Sequence, residues 1–315
     1  MVATAAVGRS AFGQTYPARP ITMIVPFPPG GPADVVARIL SEQMRNSLGQ
    51  PIIIENAAGA SGGIGTGRVA RAAADGYTII FGYWGTHVSN AYVYRLQYDV
   101  ARDFDPIVRM PGQPLLVVAR KGIPASNLAE FIGWLKANPD KASQGTAGVG
   151  SAGHLIGAMF QQYTGTKFQF VPYRGTAPAT EALLAGDIDF IFNNPTTTMS
   201  HVGAGALQAY AVTSAKRLDI AKEIPTVDEA GLPGLKFTMW QGVWAPRGTP
   251  KERIAKINAA AILALADPGN RRRLLDQGFE LQEKDELTPE ALASLQKAEL
   301  EKWGPIIKAA DIKIE

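Results

Sequence analysis

A chain of 315 residues is too long for one small core and suits two α/β domains. Apolar residues make up 46% and charged residues 19%, the balance of a globular protein, and a formal charge of +3 gives no support for a nucleic-acid partner. The absence of cysteine excludes thiolate metal sites, cysteine nucleophiles and a disulfide framework.

Residues 1–15 are small and apolar, interrupted by Arg9, and lack a basic n-region. They read as the remnant of a secretory signal or as a disordered arm, with the folded part starting near Tyr16. No apolar run approaches the ~18 residues that span a membrane. Ile21 to Val25 is a buried strand. After it, Val35, Val36, Ile39, Leu40, Met44 and Leu48 fall on one helical face. The connection, Pro26 to Asp34, holds three further prolines and two glycines after Pro26, a stiff turn that aims free N–H groups at the positive end of a helix. It is either an anion site or a plain strand-to-helix turn.

Strand, glycine-bearing loop and helix then repeat. Pro51 to Glu55 is a strand, Asn56 to Gly65 a loop, and the next helix runs through Val69 to Ala74. Tyr77 to Phe81 is a third strand, and its end carries Gly82 to His87. Such alternation predicts a parallel sheet whose ligand sits beyond the strand ends. Phe104 to Ala119 reads as a crossing into a second βα series. That series has a helix over 128–137 with Asn127 and Glu130 in capping-box spacing. It continues with strands near 143–146, 168–171, 188–192 and 207–213, and with Ser151 as an N-cap. Gly234 to Ala245 returns the chain. Helices follow, one opened by a capping box in Thr249-Pro250-Lys251-Glu252 and the last by Thr288-Pro289-Glu290, running to about Trp303. The resulting organisation is residues 16–112 plus 234–315 as one domain and 113–233 as the other, two lobes joined by two crossings. Arg271-Arg272-Arg273 reads as a solvated helix face.

Enzyme motifs fail one by one. Gly59-Ala60-Ser61-Gly62-Gly63 fits GxSxG, but three residues separate it from its strand and no acid–histidine pair follows. Gly65-Thr66-Gly67-Arg68-Val69-Ala70 fits GxGxxA without an acid about twenty residues later. There is no P-loop, and His87, His154 and His201 stand apart, so no metal and no cofactor is expected. What remains is six loops rich in N–H donors. They carry Phe27, Pro29, Gly30, Gly31, Ala33 and Asp34; Ser61; Tyr83, Trp84, Thr86 and His87; Gly150, Ser151 and His154; Arg174, Gly175 and Thr176; and Asn193 with Asn194. Together they form a candidate carboxylate site. Arg174 either adds a charge-assisted bond or makes a surface ion pair. The histidines are either ligand groups or packing residues.

Tyr16-Pro17-x-Arg19-Pro20-Ile21 and Val25-Pro26-Phe27-x-Pro29-Gly30-Gly31-x-x-Asp34 are similar to the opening of the Bug-type, or TctC-like, substrate-binding proteins of tripartite tricarboxylate transporters. The resemblance continues in Glu55-Asn56-x-x-Gly59-Ala60-x-Gly62-Gly63, Asp75-Gly76-Tyr77-Thr78, Pro172-Tyr173-Arg174-Gly175, Pro225-Thr226-Val227 and Ala245-Pro246-x-Gly248-Thr249-Pro250, spanning residues 16 to about 310. It implies a monomeric α/β protein of the two-lobed, type II-like periplasmic binding fold. Such a protein closes on a small dicarboxylate or aromatic carboxylate and delivers it to a membrane permease.

Two departures bear on the ligand. Asn193-Asn194 stands where many members resemble Phe-Asp-Asn, which disfavours an ammonium-bearing ligand. Tyr83-Trp84 fills a loop of usually small residues, so that Trp84 either walls the site, favouring an aromatic acid, or packs against the other lobe. An enzyme acting on a carboxylate, with Asp34 as its acid or base, and a ligand-sensing domain are the alternatives.

Overall fold

A set of three parallel strands organises each half of the chain. The computed structural model describes residues 15–309, so the expected arm, but for Thr15, lies outside the described residues. In the first half Ile21–Val25 (β1) lies between Ile52–Asn56 (β2) and Thr78–Tyr83 (β3), parallel to both. A strand covered on both faces has no polar alternation, which is why β1 is almost wholly apolar. Pro32–Leu48 (α1) links β1 to β2 and buries Val36, Ile39, Leu40, Met44 and Leu48 at helical spacing. Gly63–Ala70 (α2) links β2 to β3 and ends four residues earlier than the sequence pattern indicates. A wide turn over 85–89 and the short helix Asn90–Val93 (α3) follow β3.

The chain then runs along Phe104–Pro114 (β4) and passes through Leu115 alone into Leu116–Arg120 (β5) of a second sheet. Leu128–Ala137 (α4), Ser143–Thr146 (β6), Ala152–Thr164 (α5), Gln169–Pro172 (β7), Thr176–Ala185 (α6), Phe190–Asn193 (β8), Pro195–Gly203 (α7) and Leu207–Val212 (β9) complete that half. Thr238–Pro246 (β10) returns to the first sheet. Lys251–Ala266 (α8), Pro268–Leu275 (α9) and Pro289–Ala309 (α10) close the described chain. Apolar residues of α8 share a core with those of α1, and Leu292, Trp303 and Ile307 of α10 pack with Trp84 and Trp244.

The strand orders are β2-β1-β3-β10-β4 and β7-β6-β8-β5-β9. In each sheet the strand that crosses from the other half takes the fourth place, antiparallel to its neighbours. This is the expected two-lobed α/β architecture with two crossings. The crossings are bonded to each other. Leu115 N–H donates to Thr213 Oγ1 at 2.8 Å, and Thr213 Oγ1 donates to Phe237 O at 2.6 Å. Thr213 N–H reaches Leu115 O at 2.8 Å, and Phe237 N–H reaches Thr213 O at 2.9 Å. Thr213 is fully buried, so these bonds form without competition from water.

Two capping expectations need correction. Asn127 caps α4 through Glu130 N–H at 2.9 Å as predicted, but the Glu130 carboxylate accepts from Ser126 N–H, one residue before the cap. Thr249 caps nothing: its hydroxyl donates to Pro246 O at 2.7 Å, and Pro250 sits just before α8 rather than inside it. The last helix runs on past Trp303, through Pro305, to Ala309.

Candidate functional site

The ends of the parallel strands from both sheets face one cleft of about 820 Å³. In the first lobe the β1–α1 loop contributes Phe27, Pro29, Gly30 and Gly31, and the first turn of α1 contributes Ala33. Gly30 holds φ +83°, a left-handed conformation that glycine alone takes without strain, and its N–H donates to Asp34 Oδ2 at 3.0 Å. Asp34 is 3% exposed and faces away from the cleft. It also accepts from Arg38 Nε at 2.8 Å and Asn56 Nδ2 at 2.9 Å, and Asn56 Nδ2 reaches Phe27 O at 3.0 Å. Burial opposes its charge, but the bonds from Arg38, the Gly30 N–H and Asn56 outweigh burial and hold the carboxyl below its ordinary range. Asp34 is therefore a clip that shapes the loop. Its bonds are spent on that task, which removes the convenient acid or base of the enzyme alternative.

Phe27 and Tyr83 meet edge to face at 4.9 Å and form an aromatic wall. Burial, then the neighbouring Tyr94, pushes the Tyr83 phenol up to about 12, so it stays a neutral donor. Ser61 lies on the rim, its hydroxyl 2.7 Å from Tyr94 Oη, while Asn90 Nδ2 donates to Ser61 O at 3.0 Å.

The second lobe presents three helix starts. Ser151 caps α5, accepting from His154 N–H at 3.4 Å, and His154 Nδ1 accepts from Gly150 N–H at 3.0 Å. His154 thus backs the loop rather than lining the cleft, and burial lowers its pKa and keeps it neutral. Gly153 lets the first turn of α5 press on β8, since a Cβ there would stand 2.7 Å from Phe192 O. Gly175 and Thr176 open α6 with no side-chain cap, and Arg174 precedes them at the cleft edge. Asn193 and Asn194 line the cleft at the start of α7. Asn193 Nδ2 donates to Thr180 Oγ1 at 3.0 Å, and Asn194 Oδ1 accepts from Thr197 Oγ1 at 2.8 Å.

Besides Asp34 and His154, which back the cleft loops, three expected site residues lie elsewhere. Trp84 is fully buried, 5.0 Å edge-to-face from Phe237 and 5.0 Å from Trp303, so it walls the hinge core and not the cleft. Thr86 bonds Tyr83 N and O at 3.1 and 3.0 Å and ties off the end of β3. His87 stacks on Trp244 at 3.8 Å with Nδ1 2.9 Å from Thr86 Oγ1, and burial pushes its pKa down to about 3. β3 ends at Tyr83, and from Trp84 the chain enters the wide helical turn over 85–89, which buries Trp84, Thr86 and His87. Conversely, Asn90, Tyr94, Thr146, Met239 and Gln241 line the cleft without having been singled out. Their only sequence signal is nearness to a strand end or to the return crossing.

Among the described residues Arg174 is the only charged side chain lining the cleft, and no ion pair engages it. No group of acidic residues and histidines there is placed to hold a metal. Two lobes, a double crossing and a donor-lined cleft between them are the architecture of a solute-binding protein.

Relatives agree with that class. Residues 36–312 match the family described as the tripartite tricarboxylate transporter family receptor, TctC. The chain is 39% identical to the periplasmic binding protein BugD, with a TM-score of 0.82 over 95% of this chain and 100% of that one. It is 36% identical to MatC (Rpa3494) from Rhodopseudomonas palustris, solved with bound malate, with a TM-score of 0.81 over 93% of this chain and 100% of MatC. It is 34% identical to Rpa4515 of R. palustris, solved with adipate, with a TM-score of 0.84 over 95% and 100% of the two chains. The chain belongs to the TctC family of solute-binding receptors, and like its Bug-type relatives it is a receptor rather than an enzyme.

Proposed function

We propose that this receptor captures a small aliphatic dicarboxylate in the periplasm, as a monomer, and hands it to the membrane permease of a tripartite transporter. The observation that carries the ligand class is the charge of the cleft: among the described residues one arginine and no carboxylate line it, and three helices of the second lobe start there. Each helix start favours an anion by about 0.3–1 kcal/mol when exposed and up to ~2 kcal/mol when partly buried. The inward turn of Trp84 removes the main argument for an aromatic acid, and relatives solved with malate and adipate favour the aliphatic class. Closure moves residues 16–112 with 234–315 against 113–233, about the bonded trio Leu115, Thr213 and Phe237.

Thermal denaturation against linear dicarboxylates, citrate, aspartate, glutamate and benzoate-type acids tests this. A true ligand at a hundred times its Kd adds about 2.7 kcal/mol. Shifts confined to aliphatic dicarboxylates are expected. Shifts with aromatic acids alone overturn the aliphatic assignment, and no shift with any carboxylate overturns the anion cleft.

A further inference from the structure

We propose that Gln241 is the specificity-determining residue of the cleft and selects dicarboxylates that carry a hydroxyl beside a carboxylate; this rests on the dicarboxylate reading above. Gln241 is 4% exposed and lines the cleft together with Met239 and Leu115. Its Oε1 is enclosed and has no hydrogen-bond partner among the described residues. A buried acceptor left empty is costly, and native proteins rarely leave one without a purpose.

The backbone is built to put it there. Met239 pairs with Gln113 of β4 but Gln241 with Met110, so β4 carries one extra residue at Pro111–Gly112. Such bulges gather beside functional sites, and this one sets the register in which Gln241 pairs with Met110 on one side and Tyr83 on the other. Gly112 permits this one, since a Cβ there would stand 2.9 Å from Met239 O and 3.0 Å from Trp240 Cα. On its other side Gln241 pairs with Tyr83, the aromatic wall of the first lobe.

A glutamine amide offers donors and an acceptor side by side, and its terminal torsion is soft. The neighbouring helix starts and Arg174 supply donors to the carboxylates. Once the side chain turns to bring Oε1 to the cleft surface, Gln241 adds the matching pair for a 2-hydroxy acid: Nε2 donates to the carboxylate and Oε1 accepts from the hydroxyl. An unsubstituted dicarboxylate leaves Oε1 empty.

Isothermal titration calorimetry with two matched pairs, malate with succinate and 2-hydroxyglutarate with glutarate, tests the assignment. In one pair at least, the wild-type protein should bind the hydroxy acid about tenfold more tightly than its unsubstituted partner. In Gln241→Met, nearly isosteric, both acids lose the bond from Nε2 and the hydroxy acid loses the Oε1 bond as well, so that ratio should fall to about one. The ratio is read within one protein, so a change in folded fraction does not affect it. Gln241→Glu, which puts a like charge beside the ligand, should abolish binding of all four. An unchanged ratio in Gln241→Met or unchanged affinity in Gln241→Glu overturns the assignment. So does a wild-type protein that binds both members equally, or that binds other carboxylates but neither pair, and these results leave the cleft reading intact. No binding of any carboxylate overturns both.

Discussion

The first turns of the two lobes are built alike and charged differently. In β1–α1 and in β6–α5 a left-handed glycine, Gly30 at φ +83° and Gly150 at φ +75°, stands two residues before the first helical residue. Each gives its N–H, at 3.0 Å, to the side chain four residues on, in the third helical position. In the first lobe that acceptor is Asp34, a carboxylate held ionised by Arg38, Gly30 and Asn56 against its burial. In the second it is His154, a ring kept neutral by burial. The backbone device is the same, yet its electrostatic effect is opposite. Asp34 spends the positive end of α1 on itself, whereas α5 keeps its field for whatever enters the cleft. Arg174 stands in the same lobe as α5. On the proposed function, the second lobe then anchors the anion and the first, with Phe27 and Tyr83, covers it.

The largest effect should come from reversing the one charge of the anchoring lobe. Arg174 is exposed and unpaired among the described residues, so Arg174→Glu should leave the melting temperature nearly unchanged. Its ligand affinity should fall by at least about a hundredfold. A loss below tenfold would mean that helix starts alone hold the carboxylate, and the two lobes would then differ less than proposed.

A smaller effect should follow from giving the second lobe the first lobe's acceptor. His154→Asp places a carboxylate where Asp34 stands in α1. Asp34 shows that such a side chain reaches the glycine N–H, and the helix end favours it, so the fold should tolerate the change. Affinity should drop about tenfold from like-charge repulsion with the ligand. Unchanged affinity by calorimetry would remove the start of α5 from the anion site.

This comparison was half legible in the sequence. Gly30, Gly31 and Pro32 announce a stiff loop, and Ser151 announces a helix start, because turn chemistry is local. The likeness of the two turns was not legible, since Asp34 and His154 share no chemistry except the ability to accept a bond. Trp84 and His87 were misplaced because their partners, Phe237, Trp303 and Trp244, arrive more than a hundred residues later. Gln241 escaped notice for the same reason: β10 reaches Tyr83 only when the chain returns across the hinge.

The smallest effect concerns acid. His154 titrates in the folded loop below its ordinary 6.5, because burial penalises the charged ring, and a protonated Nδ1 cannot accept from Gly150. Above pH 6.5 the ring is neutral in both the folded and unfolded chains, and its stabilising contribution is complete. Below that value the unfolded chain takes up the proton first, so the contribution is lost as pH falls through the folded pKa. Asp34 also contributes above its unfolded value, and that contribution is lost only as pH falls below its ordinary 3.8 and through the folded pKa, outside the range from about pH 7 to pH 5. His87 too is buried neutral and depressed, so it loses stability in the same direction, and acid melting of the wild type alone cannot separate the two histidines. His154→Asn does. An asparagine oxygen accepts from Gly150 at any pH, from the position where Asp34 already makes that bond. Going from pH 7 to pH 5, the wild type should lose on the order of 2 °C more than the variant. Parallel melting curves across that range would mean that the Gly150 bond does not depend on a neutral ring.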